Sequence, residues 1–257
     1  MQIKESRFFL QHPYVRAIII LLFVFLGLIF LFSIIGFLLH FAPEPIGSRS
    51  EMFIDGAKST LLLTLISGIS GIVVGIGLGL LKASKKWYLK LPTDLYISIF
   101  RGTPLLVQIL FAYYALPELH PVFKFTEFQA AALALALNVG AYNSEAVHAG
   151  ILAVPKGQVE ASLSLGMSTT QTYRWIILPQ ALRIMTPPLV NNIVALLKDS
   201  SLASSLGLLE LTLVANRISA ETFQPIPVLT TIAIIYLILT TVLTSVVKIF
   251  ESKVTQK

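Results

Sequence analysis

The chain has 257 residues, 55% of them hydrophobic and only 12% charged, and its mean hydropathy is +0.81. Soluble domains carry about 25% charged residues, so this composition excludes an ordinary water-soluble fold and points to lipid as the solvent. The absence of cysteine excludes disulfides, thiolate catalysis and cysteine-ligated metals, and the net charge of +6 lies in short segments between apolar runs rather than in a nucleic-acid-binding patch.

Six apolar runs predict an all-α integral membrane protein with six transmembrane helices, at roughly 17–40, 57–81, 93–117, 128–151, 186–210 and 227–249. Each is long enough for a hydrocarbon core about 30 Å thick at about 1.5 Å rise per residue. The first run, Ala17 to Leu39, exceeds the apolar core of a cleaved signal sequence, and no small-residue cleavage site follows it. A retained anchor is predicted. In the second run Gly71, Gly75 and Gly79 recur every four residues, a face that lets helix backbones approach closely in lipid. Gly77 is expected to add to the same crowding. The G-I-G-L-G run lies inside a span with no strand before it, so it is not a dinucleotide loop.

Polar residues then recur inside the spans. Asp94, Ser98, Arg101 and Gln108 predict one polar stripe on the third span, and Asn138, Tyr142 and Glu145 another on the fourth. On the fifth, Asn191, Lys198 and Ser205 are seven apart, with Asn192 and Asp199 one position along. Pro187-Pro188 is expected to open that span, and Ser200, Ser201, Ser204, Ser205 and Gly207 to soften its outer half. A charge at mid-span costs about 2.5–3.5 kcal/mol, so it faces a partner or a watery path. Arg101, Glu145, Lys198 and Asp199 sum to zero, and two readings stay open for them: ion pairs that lock the helices, or the lining of a passage. Tyr113-Tyr114 and Phe223, near outer ends, read as interface anchors.

The longest loop, 152–185, carries Glu160-Ala161-Ser162, Gly166, and Ile176-Ile177-Leu178-Pro179. Small residues after Glu160 suit a packed short helix, Gly166 can break it, Thr169 and Thr170 are expected to cap a second, and Pro179 to end or bend the chain. A helix–turn–helix across the membrane face is predicted, a docking surface for a cytoplasmic partner. By itself Glu160 would be a solvated carboxylate. Thirteen Lys and Arg fall in the tails and in the 82–90 and 152–185 loops, against four (Arg49, Lys58, Lys124, Arg217) in the alternate segments. Both termini are therefore predicted to be cytoplasmic. The outer segments, about 42–56, 118–127 and 211–226, are too short for a soluble domain, so a ligand-capturing receptor would be a separate chain. No G-x-x-x-x-G-K-[ST] phosphate loop and no H-E-x-x-H occur, and the four histidines (His12, His40, His120, His148) are scattered, so neither ATP hydrolysis nor intramembrane catalysis is predicted of this chain.

Glu160-Ala161-Ser162, Gly166 and Ile176-x-Leu178-Pro179 resemble the "EAA" loop of ATP-binding-cassette importer permeases, with Ser162 for the usual second alanine. Phe100-Arg101-Gly102-Thr103-Pro104-Leu105-Leu106-Val107-Gln108, Ala141-Tyr142-x-x-Glu145, Val154-Pro155-Lys156-Gly157-Gln158 and Lys198-Asp199-Ser200-Ser201-Leu202 resemble signatures of the polar amino acid branch, across about 56–250. The resemblance implies a five-helix type I importer core plus the extra helix 17–40, which would pack on the periphery. It divides the chain into 1–55 (tail, extra helix, outer loop), 56–250 (transmembrane domain with coupling loop 152–185) and a cytoplasmic tail at 251–257. It implies a bacterial inner-membrane permease, paired with a second copy or a sister permease, an ATPase dimer holding ATP and Mg, and an extracytoplasmic amino-acid-binding protein; this chain would bind no cofactor or metal of its own. Glu160, Ala161, Ser162, Gly166, Ile176, Leu178 and Pro179 would couple to the ATPase through a coupling helix. Arg101, Gln108, Asn138, Tyr142, Glu145, Asn191, Asn192, Lys198, Asp199 and Ser200 are the candidates for a polar amino acid pathway. His148 stands where this branch commonly has Arg, a departure that weakens any role the resemblance carries to that position. An ion-gradient-driven secondary transporter would accommodate the buried charges but leave the EAA-like loop unexplained.

Overall fold

The computed structural model describes residues 27, 29–84 and 86–255, with side chains as far as 246. Residues 17–26 and 28 of the first predicted span, together with Lys4, Arg7, Arg16, Lys85 and Lys257, lie outside the described residues. Among the described residues every regular element is helical.

The first of these, α1 (Ile29–His40), buries Ile35 in the same apolar cluster as Phe53 and Val228, while Phe30, Phe37 and Leu38 face outward. Next, α2 (Ser50–Lys82) follows a 3-10 turn at Gly47–Arg49. Its 33 residues make it about 50 Å long, more than a hydrocarbon core requires. The segment 42–56, expected as an outer loop, is therefore helical from residue 47 onward; Asp55 and Lys58 pair at 2.9 Å along its surface, which lets charged residues continue the helix.

The chain then runs through α3 (Trp87–Gly102) and α4 (Leu105–Leu119), which meet at 106°. Gly102-Thr103-Pro104, expected from the sequence to mark a helix start or kink, breaks the third predicted span here. Pro104 cannot donate a backbone hydrogen bond and forces its predecessor out of the helical region; Thr103 sits at φ −116°, ψ 147°. The step from Arg101 to Gln108 crosses this break, so these residues do not form one stripe.

A capping box opens α5 (Glu127–Leu152): Thr126 Oγ1 accepts from the Gln129 amide at 3.3 Å, and Gln129 Oε1 from the Thr126 amide at 3.0 Å. Helices α2 and α5 make the most extensive interhelix packing. A Cβ at Gly71 would strike Val139 Cγ1, one at Gly75 would strike Asn143 Cβ, and one at Gly79 would lie 2.6 Å from Val147 Cβ. The predicted glycine face is thus real, but Gly77 opens on free space. Two residues beyond Gly75 it points about 200° away around the helix, off the packed face.

After α5 come α6 (Lys156–Ser164) and α7 (Thr169–Thr172), then α8 (Leu178–Asp199), α9 (Leu211–Thr222) and α10 (Pro225–Thr255). Pro187 and Pro188 lie inside α8 rather than opening it. The helix starts earlier because a π turn, Tyr173–Ile177, carries the chain into it without a stop. Pro179 therefore does not end the helical run: it sits in the first turn of α8, and the widened π turn accommodates its missing N–H and the ring that would crowd the carbonyl of residue 175. The same device recurs in α4, where the π turn Phe111–Ala115 precedes Pro117. Beyond α8 a 3-10 turn, Ser200–Leu206, closes at Gly207 with φ +85°, so Ser205 leaves the stripe expected with Asn191 and Lys198.

Among the described residues, Gly47–Lys82 and Pro225–Val246 are long and apolar enough to cross a membrane alone, and the bent pair α3–α4 makes a third if counted as one span. Helices α5 and α8, 26 and 22 residues long, have the length but carry polar side chains. Their close approach, with a Cβ at Gly150 only 2.9 Å from Met185 Cβ, brings those polar faces together.

Candidate functional site

The break after α3 leaves helix-end carbonyls in need of donors. Gln108, one turn into α4, directs its Nε2 back to Phe100 O (2.9 Å), Thr103 O (3.1 Å) and Thr103 Oγ1 (2.9 Å). Asn138 on α5 donates its Nδ2 to Phe100 O and to Gln108 Oε1, both at 3.0 Å. The Thr103 hydroxyl donates to Ile99 O at 2.8 Å. Two residues expected along a pathway are thus built into the bend between α3 and α4.

A cavity of about 460 Å³ opens at this bend, between the α3–α4 junction, α5 and α8. Thr103, Pro104, Asn138, Tyr142, Asn192 and Asp199 contribute to its wall. Asn192 is held by Asn143 at 2.9 Å between their amide groups. Beside it, Arg101 lies 5.1 Å from the centre of the Tyr142 ring and 3.4 Å from Glu145 Oε1. Asn191 and Lys198 are exposed on α8 without joining that wall, and Ser200 is buried with its hydroxyl donating to Leu197 O at 2.8 Å. Of the four candidate charges, then, Arg101 and Glu145 pair, Asp199 faces the cavity, and Lys198 does neither.

Glu145 has a second cation that sequence reasoning assigned to the inner loop. Lys82 Nζ, at the end of α2, lies 2.6 Å from Glu145 Oε1 and 3.3 Å from Asp94 Oδ1, with its side chain only 14% exposed. An alternating chain Asp94–Lys82–Glu145–Arg101 therefore ties α2, α3 and α5 together next to the cavity.

At the other end of α8 stands the predicted helix–turn–helix. Helix α6 ends at Ser164, and Gly166 turns the chain two residues later with a φ of +82°, a left-handed conformation that suits glycine. The second helix is capped by Ser168 rather than by Thr169 or Thr170: Ser168 Oγ accepts from the Gln171 amide at 3.3 Å and Gln171 Oε1 from the Ser168 amide at 2.8 Å. That reciprocal pairing outcompetes a threonine one position later. Ser162 and Thr172, 3% and 1% exposed, share a hydrogen bond at 2.9 Å across the hairpin. Serine in place of the usual alanine thus supplies a polar clasp. Ile177 packs with Val154 and Ala181 on the inner side, with Ile176 half-buried beside it. Glu160, Ala161, Leu178 and Pro179 are exposed, as are Leu165 (84%) and Trp175 (64%). No hydrogen bond or ion pair holds the Glu160 carboxylate among the described residues.

Residues 71–256 match the family described as binding-protein-dependent transport system inner membrane component. An octopine transport system permease protein of Rhizobium radiobacter is 37% identical over 77% of this chain and 84% of its own. The glutamine transport system permease protein of Escherichia coli K12 is 36% identical over 84% of this chain and 98% of its own. The chain belongs to this family. It is the permease subunit of an ATP-binding-cassette importer of the polar amino acid type. One chain of the crystal structure of an amino acid ABC transporter superposes with a TM-score of 0.75 at 36% identity, covering 80% of this permease and 95% of that chain. The inward-facing MetNI methionine transporter, 21% identical, shares the fold with a TM-score of 0.71 over 83% of the permease and 99% of its own chain.

A second buried polar junction in the permease also escaped sequence reasoning. Glu210 is fully buried, its carboxylate accepting from the amides of Leu213 (2.8 Å) and Thr212 (2.9 Å) and from the Tyr236 hydroxyl (3.0 Å). Thr60 Oγ1 accepts from the Leu211 amide at 3.2 Å. The cluster fastens α9 to α2 and α10. Its one local signal is an acidic residue directly before an amphipathic helix, the N-cap position.

Proposed function

We propose that this permease forms half of a polar amino acid pathway and is driven by a separate ATPase dimer through the α6–α7 hairpin. The observation that carries this reading is mechanical: α8 begins at the hairpin's π turn and ends at Asp199 in the cavity wall, so one helix about 33 Å long joins docking surface to cavity. The six-span count, with both termini cytoplasmic, belongs to this proposal, as does the division into an extra helix, a transmembrane domain and a coupling hairpin. A second copy or a sister permease completes the pathway. An extracytoplasmic binding protein delivers the solute, and ATP and Mg stay on the partner. Octopine and glutamine, named for relatives, support a polar amino acid as cargo.

Movement of the hairpin would shift α8 against α5 and so reshape the cavity between them. Leu165, at the hairpin tip, is exposed, so Leu165→Asp should leave the fold intact while placing a charge at the proposed ATPase surface. In vesicles containing the complete importer, this change is expected to cut ATP-driven amino acid uptake by about tenfold or more. Uptake at the unaltered rate would end the proposal.

A further inference from the structure

We infer that the cavity selects its cargo by charge: it admits amino acids of net charge zero or plus one and disfavours acidic ones. The inference rests on the pathway reading above and concerns the wall that the solute would meet.

Hydrogen-bond direction in that wall is set by chemistry. The Phe100 carbonyl can only accept, so the Asn138 atom 3.0 Å from it is the amide nitrogen. That nitrogen also serves Gln108 Oε1, which leaves Asn138 Oδ1, an acceptor, without a partner among the described residues. Thr103 likewise gives its hydroxyl hydrogen to Ile99 O. The two fixed polar groups at the bend therefore have spent their donors. Asp199 adds a carboxylate with no ion pair among the described residues, and its neighbour Lys198 is not part of the wall. Arg101 is engaged by Glu145 at 3.4 Å and stacked on Tyr142.

A cationic N–H group entering this space meets acceptors and a carboxylate that no ion pair engages among the described residues. A second carboxylate on the solute would meet the Asp199 carboxylate, with the Tyr142 hydroxyl and the second amide hydrogen of Asn192 as its donors. Leu105 and Leu202 fill other parts of the wall, and the apolar surface they present strengthens the interaction with Asp199 in either direction.

The test uses the complete permease–ATPase complex in lipid nanodiscs without the binding protein, so that the receptor's own selectivity does not enter. Equilibrium binding of L-arginine, L-glutamine and L-glutamate is measured. Glutamate is expected to bind at least about tenfold more weakly than the tighter of the other two. Asp199→Asn should narrow that gap to within about threefold. Glutamate binding as tightly as the others overturns the inference, and so does a gap that survives Asp199→Asn; either result leaves the pathway reading standing. Should Asp199→Asn fail to assemble, the ranking in the unaltered complex decides. Leu202→Trp, which fills the cavity, should abolish binding of all three. Binding of none to the unaltered complex, or undiminished binding to Leu202→Trp, overturns both the inference and the pathway reading.

Discussion

Lys82 shows how much one side chain depends on context. In the sequence it is one of four lysines in the 82–90 segment, and its charge reads as topology. In the fold it is 14% exposed and bonded to two carboxylates from other helices. Asp94, 39% exposed, is partly screened by solvent, so the Glu145 contact dominates. Lys82→Met is expected to destabilise the permease by about 2 kcal/mol by stranding Glu145 beside a single remaining cation, whereas Lys82→Arg should retain most of the stability. Thermal unfolding of the detergent-solubilised complex checks both, and equal midpoints for Met and Arg would refute the pairing. Glu145 itself was legible as a buried charge needing a partner. Which cations answer it was not, because they come from α2 and α3, sixty-three and forty-four positions back along the chain.

Among the elements, the glycine face was the most legible, because a four-residue period is a property of the sequence alone. What the period could not say is which glycines lack room for a methyl group. Gly75→Ala would press into Asn143 and should cost about 2 kcal/mol, while Gly77→Ala, in open space, should be neutral or stabilise by about 0.5 kcal/mol. Comparing the unfolding midpoints of the two variants measures the difference; similar losses at both positions would contradict the packing. The break between α3 and α4 was only half legible. Gly102-Thr103-Pro104 announces a kink, but a bend of 106° is sustained by Gln108 and by Asn138 from another helix. Polar periodicity carried across the break therefore misassigned Gln108 to a stripe.

For the whole molecule, the asymmetry of basic residues predicts that the hairpin and the end of α4 lie on opposite sides of the membrane. The cysteine-free sequence makes this directly measurable. A single cysteine at Lys156, exposed in α6, should react with a membrane-impermeant maleimide only from the cytoplasmic side, and one at Glu118, exposed in α4, only from the outside. Labelling of both from one side would overturn the six-span topology.

The sequence by itself determined the solvent, the helical class, the small-residue face, the hairpin with its Gly166 turn, and family membership. Each depends on local composition or short-range spacing, which the chain carries wherever it folds. Tertiary structure alone decided that Asn138 and Gln108 hold a bend, that Lys82 serves Glu145, that Glu210 is buried at a junction, and that Asp199 rather than Lys198 faces the cavity. Those outcomes require helices distant in sequence to meet at a definite rotation, and about 100° of turn per residue separates a cavity wall from an outer face.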